Sequence, residues 1–303
     1  RQMCIRDSSH TQHTADAFAQ FDWNPRKKFN LIAGLRFDWF SEAKLSHFSP
    51  KLGLMYKLKN CSLRGSYAGG FRAPTLKEMY MNFYMGNIFM IYGNPDLKPE
   101  SSHNFSLSAE YMKGRHNVTV TGFYNIVDDR ITTAWNQALG GQVYTNMSRL
   151  QVAGVDANAS GRYPCGVSWR LSYAYTYEHI RKGEPMLSST RPHTATARLA
   201  YDKDWKHYGL SVALSGRWLS KVTTDVYTEI TSYEQTERQT YPGYTIWKLS
   251  LTQRIWRGVN VTLAVDNLFD YRPRYYYSNS PSTTGTACSV GLSLDMERMF
   301  KKK

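Results

Sequence analysis

Val167-Ser168-Trp169-Arg170-Leu171-Ser172-Tyr173-Ala174-Tyr175-Thr176-Tyr177 is the stretch that decides the reading. Side chains of an extended chain alternate between two faces. Val167, Trp169, Leu171, Tyr173, Tyr175 and Tyr177 therefore share one face, and Ser168, Arg170, Ser172, Ala174 and Thr176 the other. One face is greasy and the other is wet enough to solvate an arginine. A tilted strand needs about nine to eleven residues to cross a bilayer, which this segment supplies. A membrane-spanning strand is the direct prediction.

The same pattern recurs outward from it. Phe29, Leu31, Ala33, Leu35, Phe37 and Trp39 alternate with Asn30, Gly34, Arg36 and Asp38. Tyr208, Leu210, Val212, Leu214, Gly216 and Trp218 alternate with Gly209, Ser211, Ala213, Ser215 and Arg217, and Val259, Val261, Leu263 and Val265 with Asn260, Thr262, Ala264 and Asp266. About thirteen such segments run through the chain. The connections sort by parity. Asn24 to Lys28, Lys57 to Asn60, Lys113 to His116, Tyr163 to Gly166, Asp202 to Lys206 and Trp256 to Gly258 are short. Ser41 to His47, Arg72 to Ser101, Asp128 to Ser148, His179 to Pro192, Leu219 to Gly243 and Leu268 to Thr284 are longer. Outer-membrane barrels have short periplasmic turns and long external loops, whereas a soluble β-sandwich has no reason to sort its loops. The fold class predicted is all-β, an antiparallel transmembrane β-barrel, in lipid of a bacterial outer membrane.

Composition agrees. Aromatics are 14% of 303 residues, with 22 Tyr and 8 Trp, yet mean hydropathy is −0.52. That combination suits one wet face, one apolar face and aromatic girdles. No apolar run is long enough for a spanning helix. The net charge of +14 lies largely in turns, such as Arg26, Lys27 and Lys28 or Lys113 and Arg115, with no recognition helix beside it, so no nucleic-acid partner is predicted. Cys4, Cys61, Cys165 and Cys288 are scattered and lack zinc or redox spacing. No histidine pair at helical spacing supports a metal site, and no cofactor is expected. There is no G-x-S-x-G, phosphate loop or H-E-x-x-H. Asp128 and Asp129, being adjacent, point to opposite faces of a strand and make no acid–base pair. An enzyme is not expected.

Motifs then narrow the family. Phe71-Arg72-Ala73-Pro74-Thr75 closes one strand and Gly93-Asn94-Pro95-Asp96-Leu97-Lys98-Pro99-Glu100 precedes the next. Ala153-Gly154-Val155-Asp156, Thr190-Arg191-Pro192-His193-Thr194-Ala195 and Asp266-Asn267-Leu268-Phe269-Asp270 follow in order. Together the set resembles the FRAP, NPDLKPE, Gly-Val-Glu, Pro-Arg-His-Thr and Asn-Leu-Phe-Asp signatures of TonB-dependent outer-membrane receptors, over residues 14 to 300. Asp156 stands where Glu is commoner, and Arg191 and Pro192 are transposed. The residues read as structural: Pro74, Pro95 and Pro99 stop strands, while Asn94, Asp96, Asn267 and Asp270 bond to turn backbone.

The resemblance implies the rest. Such receptors have about twenty-two strands around an N-terminal plug and draw energy from the TonB complex. This chain would supply about thirteen C-terminal strands, with plug and earlier strands upstream, because an odd count leaves open edges in lipid. The implied function is uptake of a large scarce nutrient: a ferric siderophore first, haem or cobalamin next. A passive porin-type channel is the alternative, and a soluble β-rich binding module a third. Haem receptors of the family place a histidine between the FRAP and NPDL motifs, and none lies between Pro74 and Asn94. The Met- and aromatic-rich segment from Thr75 to Tyr92 is the candidate ligand cover. Arg72, Tyr80, Tyr84, Met85, Tyr92 and Trp135 are the candidate substrate contacts. Arg36, Arg64, Arg170, Arg198 and Arg217 on the wet face would either steer an anionic ferric chelate or cobalamin or equally satisfy a polar interior by pairing with Asp and Glu, and the sequence does not choose between the two.

Two ends depart from the pattern. Arg1 to Gln12 show no alternation, and Gln2 to Ser8 resemble a translated sequencing-adapter remnant, so residues 1–13 are expected to be a non-native or disordered leader and 14–303 the barrel portion. Outer-membrane proteins of the family commonly end on an aromatic, whereas here Phe300 is followed by Lys301, Lys302 and Lys303.

Overall fold

The computed structural model describes residues 10–41, 44–86, 89–180, 190–205, 208–227, 236–256, 258–274, 283 and 285–296. Residues 1–9, 297–303 with Phe300 among them, and parts of the long connections, including Ile88 and most of the stretch from His179 to Pro192, lie outside the described residues.

The elements follow in order: β1 (Thr14–Arg26), β2 (Phe29–Phe40), β3 (Leu45–Lys57), β4 (Cys61–Arg72), α1 (Leu76–Tyr80), β5 (Phe83–Met85), β6 (Phe89–Tyr92), β7 (Glu100–Lys113) and β8 (His116–Asn136). There follow β9 (Gly141–Arg162), β10 (Val167–Ile180), β11 (His193–Asp204), β12 (Gly209–Leu219), β13 (Val222–Tyr227), β14 (Thr236–Tyr241), β15 (Tyr244–Trp256), β16 (Val259–Asp266) and β17 (Ala287–Leu294). Thirteen of these form one continuous antiparallel wall in the order β1-β2-β3-β4-β7-β8-β9-β10-β11-β12-β15-β16-β17. Every neighbour in the wall is the next wall strand in sequence. That up-and-down meander is what the sorted loop lengths require.

The alternation sets the two faces. Leu107, Leu171, Leu199 and Trp218 stand exposed on the outward face, where a lipid solvent receives them. Behind them the polar face is knitted: Arg36 pairs with Asp38 at 2.8 Å and Arg64 with Glu110 at 2.8 Å. Ser66 and Ser106 share a hydrogen bond of 2.7 Å across β4 and β7.

Two connections differ from expectation. The stretch Asp128 to Ser148 is not a long loop, because β8 and β9 run on past the wall as one hairpin, pairing as far as Asn136↔Gly141. Asp129 sits at φ 54 and interrupts the ladder without changing its register. Its strand-breaking polarity, with Gly140 and Gly141 at the far end, disguised the extension as loop. Ser41 to His47 is likewise shorter than a loop, since β3 begins at Leu45. Within the long connection of Leu219 to Gly243, β13 and β14 form a separate hairpin. The segment from Thr75 to Tyr92 also acquires order: α1 is followed by the β5–β6 hairpin, and β6 lies parallel to β9 through Ile91↔Gln142 and Tyr92↔Val143.

Candidate functional site: a clasped external segment

The strand ladder ends at Arg72, and the chain must leave the sheet before Pro74, whose ring offers no amide hydrogen. Thr75 caps α1. Its backbone N–H donates to Glu78 Oε2 at 2.8 Å, and its Oγ1 accepts from Glu78 N at 3.3 Å. This is a capping box, in which both orphan donors of the helix start are satisfied reciprocally.

Glu78 also faces back toward the wall. Arg72 Nη1 donates to Glu78 Oε1 at 2.9 Å, and Arg72 Nη2 donates to Glu100 Oε1 at 2.8 Å. Glu100 Oε1 accepts in addition from Ile131 N at 2.7 Å. One guanidinium therefore ties the end of β4, the start of β7 and the helix between them, with the β8 extension joined through a carboxylate. Burial pushes the Glu78 carboxyl up, but hydrogen bonds from the Thr75 backbone and from Arg72 outweigh it and hold the group below its ordinary range.

The second motif closes the far side. Asn94 N donates to Glu78 O at 2.9 Å, Asn94 Nδ2 to Tyr144 O at 2.9 Å, and Asn94 Oδ1 accepts from Asp96 N at 2.9 Å. Lys98 is gripped at both backbone atoms by Asn146, at 2.8 and 2.9 Å, and Asn146 Nδ2 reaches Asp129 O at 2.7 Å. Gly93 is needed for contact rather than for φ: a Cβ there would lie 2.8 Å from the Met79 carbonyl and Tyr80 N. Met79, Ile91, Leu97 and Ile131 are buried beneath, with Pro74. The result is a small satellite core outside the wall.

The predicted contact residues fall in different parts of this segment. Arg72 is engaged by two carboxylates within the clasp. Tyr80 stacks on His10, with ring centroids 3.7 Å apart. Tyr92 donates its hydroxyl to Leu139 O at 3.3 Å, at the tip of the β8–β9 hairpin. Trp135 meets Phe89 edge-on at 5.9 Å. Tyr84 and Met85, 66% and 54% exposed, stand at the end of β5. The clasp thus carries an aromatic and methionine rim whose outermost groups are Tyr84, Met85 and Leu139.

The motif residues elsewhere are structural in the same way. Phe71 packs between Phe40 and His47, at 5.8 and 4.3 Å. At the other end Asn267, buried and at φ 52, grips Tyr271 at both backbone atoms, 2.8 and 2.9 Å. Leu268 N donates to Trp247 O, and Asp270 Oδ1 accepts from Thr286 N at 2.9 Å. That bond and Arg272 hold the Asp270 carboxyl below its ordinary range. Phe269 remains exposed and meets Trp247 edge-on. On the polar face Arg170 is the direct cross-strand partner of Arg198. Among the described residues neither of these, nor Arg217, has a carboxylate within ion-pair distance.

Sequence reading missed Glu78 and Asn146. The Thr75-x-x-Glu78 spacing is a capping-box signal and would have found Glu78. Asn146 carries no local signal, since its partners lie 48 and 17 residues away. Among the described residues no group of His, Cys, Asp and Glu is placed to hold a metal ion.

A single-layer antiparallel meander with lipid-facing aliphatics, a polar inner face and a clasped external segment defines an outer-membrane β-barrel protein. A family model described as "TonB dependent receptor-like, beta-barrel" matches residues 4–268, and the chain belongs to that family. It is 28% identical over 297 residues to an iron-regulated outer membrane virulence protein of Vibrio cholerae, covering 89% of this chain and 43% of the relative. The fold resembles the siderophore receptor PirA from Acinetobacter baumannii (TM-score 0.74, 20% identity, 93% of this chain and 46% of that one). It also resembles a ferric enterobactin receptor mutant from Pseudomonas aeruginosa in complex with enterobactin (TM-score 0.71, 21% identity, 86% and 40%). The chain spans less than half the length of these relatives. The family is one of receptors, not of enzymes.

Proposed function

We propose that the protein to which this chain belongs takes up a ferric siderophore across the outer membrane, drawing energy from the TonB complex through a part outside this chain. The observation that carries the reading is the clasp. Two motifs 18 residues apart are joined through Arg72, Glu78, Glu100 and Asn94, so that an apolar rim projects from the mouth of a wall with a cationic inner face. Tyr80, Tyr84, Met85, Tyr92 and Trp135 are the proposed contacts for the chelate. Among the described residues Arg170, Arg198 and Arg217 have no carboxylate partner, which favours an anionic cargo over a neutral one. The iron-regulated relative and the siderophore receptors among the structural neighbours support iron as the cargo metal.

Residues 14–303 are proposed as barrel wall and residues 1–13 as a leader. His13 nevertheless makes two hydrogen bonds with Ser41, its N–H donating to Ser41 Oγ and its carbonyl accepting from Ser41 N.

The test is uptake of radiolabelled iron by an iron-starved host lacking its own receptors and carrying the full-length gene. Ferric siderophores, haem and cobalamin would be offered in parallel, with and without TonB. TonB-dependent accumulation of one ferric siderophore is expected. Uptake indifferent to TonB would leave a passive channel and sink the proposal.

A further inference from the structure

The outward face of the wall is not evenly filled. Leu171 pairs with Ala159 on one side and Ala197 on the other, Ala197 pairs with Gly216, and Gly216 with Trp247. Small residues therefore flank Leu171 on β9, β11 and β12, and Ala157 and Ala195, the partners of Tyr173, continue them in the next row. Tyr173, Trp218 and Trp247 stand around them, enclosing a hollow of about 450 Å³. Gly216 is required by the close approach: a Cβ there would meet the Trp247 ring at 2.5 Å, so the indole lies against bare backbone.

Hydrocarbon is the chemistry this hollow fits. The hydroxyl at its rim, that of Tyr173, is already bonded to His193 Nδ1 at 2.7 Å. The arginines of the same strands, Arg170, Arg198 and Arg217, point to the opposite face. A polar occupant would meet an almost wholly apolar lining, and an unpaired polar group in a bilayer is costly. The hollow is continuous with exposed Leu171 and Leu199, in the surface that an outer-membrane wall turns to lipid.

We propose that the Ala159–Ala197–Gly216 hollow is a binding site for one acyl chain of a membrane lipid, held between the rigid faces of Trp218 and Trp247. Aromatic walls cost little conformational entropy on binding, and a hollow of about 450 Å³ takes a flexible chain. The site is independent of which nutrient the receptor carries.

The two indoles are their own probe. The full-length receptor in detergent micelles would be titrated with a phosphatidylcholine bearing brominated acyl chains, which quench tryptophan on contact. Trp218→Phe and Trp247→Phe give the emission of the hollow by difference, and Trp39→Phe gives that of an outward-facing tryptophan elsewhere on the wall. Saturable quenching at Trp218 and Trp247, complete while Trp39 still follows bulk micelle composition, is the expected result. Ala159→Leu with Ala197→Leu would fill the hollow from the lipid side and abolish the saturable phase. Quenching of all three tryptophans in proportion to bulk composition would overturn the proposal, and the wild-type comparison alone decides this if the filled variant fails to assemble. Shielding of the two indoles from brominated chains, with a second copy of the protein found bound, would overturn it equally.

Discussion

Arg72→Ala should open the external segment while leaving the wall intact. The guanidinium makes two ion pairs, 2.9 Å to Glu78 and 2.8 Å to Glu100, and its side chain is 40% exposed while the carboxylates are 15% and 18% exposed. Fully exposed pairs contribute about 0.2–1 kcal/mol and breaking a buried pair costs about 3–5 kcal/mol. The clasp lies between, and about 2 kcal/mol is expected after allowing for solvent screening at the arginine. Since about 1.36 kcal/mol is a factor of ten, the open population should rise about thirtyfold. The assay is amide hydrogen exchange in the full-length receptor. Asn94 N–H, bonded to Glu78 O, should lose protection, while amides in the β10–β11 ladder serve as reference. Arg72→Lys should be intermediate, because one ammonium lacks the forked geometry that reaches both carboxylates. Unchanged exchange at Asn94 in Arg72→Ala would mean that the two motifs are held by packing alone, and the electrostatic account of the clasp would be wrong.

Acid should act at the same place: with the Glu78 pKa depressed on folding, its stabilisation is complete above about pH 4.3 and is lost as pH falls through the lower folded value. Proteolysis of residues 73–99 should accelerate at strongly acid pH, and Glu78→Gln should flatten the profile; an acid response retained in Glu78→Gln would assign it to another group. Gly93→Ala should force the Met79 carbonyl and Tyr80 N apart at a cost of about 1–3 kcal/mol, read as faster exchange in α1, and wild-type exchange would refute the close approach. Asn267→Ala removes both bonds to Tyr271 and leaves alanine at φ 52, so about 2 kcal/mol should be lost locally, seen as proteolysis between β16 and β17 without loss of the β15–β16 ladder. Tyr84→Ala with Met85→Ala should weaken ligand binding yet leave protection at Asn94 unchanged; loss of both would show that the rim and the clasp are one unit.

The wall was legible because its signal is periodic and repeated. Each strand states its own lipid face through residues such as Leu171 and Tyr173, and the lumen face through Arg170, without reference to any distant residue. The β8–β9 extension was not legible, because beyond Asp128 the alternation stops and Asp129 interrupts the ladder. Ile131, Thr132, Thr133 and Ala134 follow no clean alternation, and Ile131 is buried in the clasp, its N–H held by Glu100. The candidate site was legible in halves. FRAP and NPDLKPE announced strand ends and turns, but their mutual bonding through Glu78 and Asn94 is a matter of contacts across the connection. Asn146 shows the limit most plainly: it grips Lys98 from β9, and no spacing rule links an asparagine in a strand to a backbone 48 residues earlier.

If the proposed contacts hold, the clasp also accounts for how a barrel would carry a recognition surface on a segment that must not wander. A flexible connection of some thirty residues would lose much conformational freedom each time it ordered on a ligand. Here α1, the turn at Asn94 and the parallel β6–β9 contact order that segment beforehand, using backbone groups that would otherwise face water unpaired. The ordering groups, Arg72, Glu78, Glu100, Asn94 and Asn146, all sit at the base, where the wall is rigid. The exposed groups, Tyr84 and Met85, sit at the tip, where their rotamers remain free to repack. On the proposed function, specificity would vary at the tip without altering the base, because no bond of the clasp described above passes through Tyr84 or Met85.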